Sequence, residues 1–121
     1  MNIMTRLLGI QSSSSGADSE HEIIVSFSWS GINDMQPLRE LEEGLAAAVA
    51  AAQVGEYDGH ELAVDGGSGV LFMYGPDADR LFTAIRPVLE RCDFMRGARV
   101  SLHYGPAGAG GRVRVVVLRC T

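Results

Sequence analysis

The chain predicts an α+β sandwich, with one antiparallel sheet carrying two helices on one face. Stretches with an apolar residue at every second position alternate with two stretches where apolar residues recur every third or fourth. Glycine and proline mark nearly every joint between them. At 121 residues and 46% hydrophobic, the chain supports one modest core and not two.

The segment Ser12-Ser-Ser-Ser-Gly-Ala-Asp-Ser-Glu20 is too polar to bury anything, so residues 1–20 read as a flexible N-terminal tail and 21–121 as the domain. Ile23, Val25, Phe27 and Trp29 alternate with Ile24, Ser26 and Ser28, which predicts a first strand. Pro37 suits the first turn of a helix, where its missing N–H costs nothing. Leu38, Leu41, Leu45, Val49 and Ala52 then form a helical stripe, with Glu40, Glu42 and Glu43 early in it and Gly55 placed to end it. Residues 56–65, interrupted by Gly59, predict a weak strand that turns through Asp65-Gly-Gly-Ser-Gly69 into an apolar strand over 70–74. A second helix opens at Gly75-Pro-Asp77 and carries Leu81, Ile85, Leu89 and Cys92; Pro87 inside the stripe predicts a kink or a split. Ala98, Val100, Leu102 and Tyr104 alternate with Arg99, Ser101 and His103 in a fourth strand. After a glycine-rich loop over 105–111, Val113, Val115 and Val117 share one face of a fifth.

The order β-α-β-β-α-β-β is the ferredoxin-like βαββαβ arrangement with an extra C-terminal edge strand. Right-handed crossovers then give the strand order 5-4-1-3-2. On this layout the face away from the helices is expected to carry Ile24, Ser26 and Ser28, then Arg99, Ser101 and His103, and from the last strand Arg112, Arg114, Val116 and Leu118.

Charge is unevenly spread. Residues 1–79 hold 13 Asp and Glu against 2 Arg, net −11; residues 80–121 hold 2 against 8, net +6, which together give the −5 of the chain. There is no lysine. A net negative chain disfavours nucleic acid as a partner. No apolar run is long enough to span a membrane, and Cys92 and Cys120 do not make a disulfide framework. The N-terminal residues lack a full signal-peptide pattern, so a cytoplasmic protein is expected.

Candidate sites have competing readings. Asp77 and Asp79 form a carboxylate pair, but at a helix start such residues cap orphan N–H groups. Asp58, His60 and Glu61 form the densest polar cluster; on a regular strand Asp58 and His60 share one face, short of a metal site, and a charged edge strand explains them as well. Gly105-Pro-Ala-Gly-Ala-Gly-Gly-Arg112 lacks the lysine and the following helix of a phosphate loop. No nucleophile sits beside a base. No catalytic, cofactor or metal residues are therefore assigned. Arg99, Arg112, Arg114 and Arg119 gather toward the edge of the fourth and fifth strands, opposite Glu56, Asp58, Glu61 and Asp65 at the edge of the second. The candidates for meeting a partner are Asp58, His60, Glu61, Asp77, Asp79, Arg99, His103, Arg112 and Arg114.

The segments Gly55-Glu-Tyr-Asp-Gly-His-Glu61 and Tyr74-Gly-Pro-Asp-Ala-Asp79 resemble a motif pair of small uncharacterised bacterial proteins, over about residues 21–120. The layout is also loosely similar to the ribonuclease-regulator family, which inhibits an RNA-degrading enzyme by protein contact, and to small immunity proteins. These resemblances imply the fold and transfer no residue roles. The function expected is binding without catalysis: a protein-interaction module or a homodimer formed through the open sheet face or an edge, with no cofactor. The alternatives are a small-ligand sensor with a pocket between the sheet and the second helix, and a small enzyme using Asp58, His60 and Glu61.

Overall fold

The computed structural model describes residues 20–29, 34–64, 67–105 and 112–119. Residues 1–19 of the expected tail, the loop over 106–111 and Cys120 lie outside the described residues. The elements are β1 (His21–Ser28), α1 (Gln36–Ala52), β2 (Glu56–Leu62), β3 (Ser68–Gly75), α2 (Ala78–Glu90), a 3-10 turn (Asp93–Met95), β4 (Arg99–His103) and β5 (Val113–Val117). The sheet runs β2-β3-β1-β4-β5 with every neighbouring pair antiparallel, the order expected from the right-handed crossovers.

Alternation places Ile23, Val25 and Phe27 of β1, Leu71 and Met73 of β3, and Val100 and Leu102 of β4 on one face of the sheet. Both helices lie over that face. α1 brings Leu38, Leu41, Leu45 and Val49; α2 brings Leu81, Phe82, Ile85 and Leu89, and all pack in one cluster. Each such side chain contributes about 1.5–3 kcal/mol by leaving water, so this layer holds the domain together.

Several local expectations are corrected. α2 runs unbroken through Pro87, which lies in its last turn with its ring exposed. There the loss of one backbone bond is a local cost, and Arg91 still donates to the Pro87 carbonyl. α1 has no acid in its first turn, because Glu40 and its neighbours fall after it; Asp34 instead accepts from the Gln36 N–H. α1 ends at Gln53, which takes a left-handed φ of 54°, before Gly55 is reached. Gly55 has another task. A Cβ there would overlap the Tyr74 carbonyl, and one on Gly75 would overlap the Val54 carbonyl. The two quoted motifs thus meet at this point, backbone against backbone. β2 is shorter than expected, ending at Leu62, and β3 longer.

Candidate interaction face

The face without helices is built from the alternate residues. Cross-strand register runs Glu56, Tyr74, Glu22, His103, Val113 in one row, Gly59, Phe72, Ile24, Ser101, Val115 in the next, and Glu61, Val70, Ser26, Arg99, Val117 in a third. Carboxylates therefore occupy the β2 side and Arg99 the β4 side. Glu22 is 8% exposed, set between Tyr74 and His103. Tyr74 donates its hydroxyl to Asp58 at 3.1 Å, which places Asp58 on this face too.

β5 corrects the expectation. Val113, Val115 and Val117 belong to the helix-free face and are 50%, 54% and 54% exposed. Arg114 pairs with Leu102 and Val116 with Val100, so both lie on the helix side, and Leu118 is in the core. The register is fixed at both ends: Leu118 exchanges backbone bonds with Ala98 and Gly97, and Tyr104 donates its N–H to the Arg112 carbonyl. A slip of one residue would exchange the faces, bringing the valines in and Leu118 out. It would also break the contacts of the two arginines. Arg114 lies 3.6 Å from Asp79, and Arg112 stacks 4.8 Å above the Tyr104 ring.

The start of α2 gathers the other candidates. Asp77 is the N-cap, accepting from the Asp79 and Arg80 N–H groups at 3.0 and 3.3 Å. Asp79 accepts from the Tyr104 hydroxyl at 2.6 Å besides facing Arg114. That bond is the main cause that holds the Tyr104 phenol above its ordinary pKa of 10.0. His21, edge-on to Tyr104, takes the Ala78 N–H on Nδ1 at 3.0 Å. Acid and base that are far apart in sequence thus meet here.

Asp58 and His60 do not share a face. A β-bulge between Tyr57 and Gly59, where Gly59 has a φ of 122°, inserts Asp58 as an extra residue. His60 then points with Tyr57 toward α1, where the Glu42 carboxylate accepts both the Tyr57 hydroxyl and a bond with His60 Nδ1, each at 2.6 Å. Burial and the Glu42 bond push the Tyr57 phenol far above its ordinary range. Glu61 is on the opposite face, beside Val70. The proposed trio Asp58, His60 and Glu61 is therefore not assembled, and its place is taken by Tyr57, His60 and Glu42. In the sequence Glu42 reads only as an acid early in the first helix, favoured by the helix dipole; the bulge that brings His60 to it had no sequence signal beyond Gly59.

Among the described residues no group of three His, Cys, Asp or Glu could hold a metal ion, and no helix is long and apolar enough to cross a membrane. A cleft beside α2 opens between the helices, lined by Pro37, Leu41, Gly44, Val88, Cys92 and Phe94 among others.

No family model matches the chain, and no curated protein matches it. The chain is similar in structure to Rv0793 from Mycobacterium tuberculosis, with a TM-score of 0.47 and 17% identity over 85% of this chain and 96% of that one.

Proposed function

We propose that the protein is a self-associating binding module that works through the helix-free face of its sheet, with a second copy of the chain as its partner. The observation that carries this reading is the valine stripe of β5. Three valines, each about half exposed, stand in register beside Ser101 and Ile24 on a face that no helix covers among the described residues. Charge on the face chooses the arrangement. The carboxylates Glu56, Asp58 and Glu61 lie on the β2 side and Arg99 on the β4 side. A two-fold axis parallel to the strands sets the acidic side of one copy over the basic side of the other; an axis across the strands sets acid over acid.

Light scattering across salt tests the reading. The chain is expected to dimerise at low ionic strength and to weaken as salt rises. Val115→Glu, which puts a carboxylate into the stripe, is expected to give a monomer. Glu61→Arg and Arg99→Glu should each weaken the dimer, and together restore it. A wild-type chain that stays monomeric at every salt concentration overturns the proposal.

A further inference from the structure

The end of the sheet where β1 stops and β4 begins holds a cleft of about 240 Å³, lined by Ser26, Phe27, Ser28, Arg96, Gly97 and Arg99. We propose that this cleft is an anion site that takes a phosphate group carried by a small molecule.

The donor set is the argument. Ser26 and Ser28 are successive same-face residues of β1, and Arg99 is the cross-strand partner of Ser26. Arg96 comes from the turn after the 3-10 segment, held there by its N–H bond to the Asp93 carbonyl. Two guanidinium forks and two hydroxyls thus border one space, and no carboxylate lines it. Among the described residues none of these four side chains has a hydrogen-bond or ion-pair partner, whereas Arg86 and Arg114 each face an acid. Both arginines belong to the basic part of the chain, net +6 over residues 80–121, so the local field at the cleft favours an anion although the whole chain is net −5. So many donors without an acceptor suit a tetrahedral dianion better than a carboxylate, since phosphate offers more lone pairs and matches the planar fork of arginine. Gly97, with a φ of 81°, lets the chain turn between Arg96 and Arg99 without a side chain filling the floor. The sequence shows the site only as Arg96-Gly-Ala-Arg99; the serines come to it through β-pairing. The inference does not rest on self-association, because the donors all belong to one copy.

The test is an amide chemical-shift titration with phenyl phosphate, repeated with acetate at matched ionic strength. Saturable shifts centred on Ser26, Ser28 and Gly97 are expected, with acetate at least about tenfold weaker. Arg96→Gln and Arg99→Gln should each weaken phenyl phosphate about tenfold or more, the usual scale for one charge-assisted contact. Both arginines are exposed, so amides outside the cleft and the helix-free face should stay unchanged in each variant. The absence of saturable shifts at the cleft, equal affinity for acetate, or unaltered binding in both variants overturns the proposal. Light scattering on the same samples keeps this outcome separate from the fate of the dimer.

Discussion

Removing the Tyr57 hydroxyl tests how edge strand β2 is fixed to the body of the domain. Glu42 accepts two 2.6 Å bonds, one from that hydroxyl and one shared with His60, while its side chain is 19% exposed and that of His60 27%. A hydrogen bond to a charged group contributes about 1.5–3 kcal/mol, and partial exposure places this one near the lower end. Tyr57→Phe should therefore cost about 1–1.5 kcal/mol, which in a domain of this size lowers Tm by roughly 4–12 °C. Glu42→Gln keeps an acceptor but loses the charge, and the two substitutions should couple by about 1 kcal/mol in a double-mutant cycle read by urea denaturation. A coupling below about 0.3 kcal/mol, within ordinary additivity, refutes the reasoning. The phenol supplies an independent check. Its folded pKa lies above the unfolded value of 10.0, so its contribution is complete below that pH and is lost as pH rises through the folded value. Wild-type stability should fall in alkali beyond the ordinary tyrosine range, and Tyr57→Phe should lose that part of the fall.

Two further outcomes follow from the same structure. Gly55→Ala should destabilise by at least about 2 kcal/mol, since φ is 149° and the new methyl meets the Tyr74 carbonyl, whereas Gly59→Ala, with open space at a φ of 122°, should cost about half that; equal urea midpoints for the two would contradict the close approach. Glu20 has its pKa raised from 4.5, first by burial and then by Glu56, so its ionisation opposes folding: the stability present below the ordinary glutamate range is lost as pH rises through the raised value. Glu20→Gln should accordingly raise Tm at pH 7 and have little effect in acid, and thermal unfolding at both pH values reads the difference.

Much of the fold was legible because each core residue obeys its own period. The stripes of Leu38, Leu41, Leu45 and Val49, and of Leu81, Ile85 and Leu89, lie where helical spacing puts them, and the alternation of β1 separates Ile23 and Val25 from Ser26 as a half-buried strand requires. The candidate site was less legible. Taken alone, three valines at spacing two argue for an inward face, yet β5 is an edge strand whose register is set from outside it by Leu118, by the Tyr104 pairing with Arg112, and by Asp79 at the start of α2. None of those contacts has a local signature. The bulge at Asp58 is hidden for the same reason: one extra residue changes which face His60 occupies, and alternation by itself cannot count it. Asp77, by contrast, was read correctly as a cap, because capping depends only on residues within one turn.

Trp29 is the chain's single tryptophan. It is 4% exposed, packed edge-on against Phe94 at 5.0 Å and Phe27 at 6.3 Å, and its indole N–H has no acceptor among the described residues. An indole so enclosed and lacking a polar partner should emit at the blue end of the tryptophan range and resist quenching by iodide. Because it extends the buried side of β1, on the opposite side of the sheet from the valines, its light should report on the integrity of the core and stay indifferent to what lands on the other surface. The molecule thus carries its own optical channel, by which loss of the native state can be told from loss of an encounter in a single cuvette.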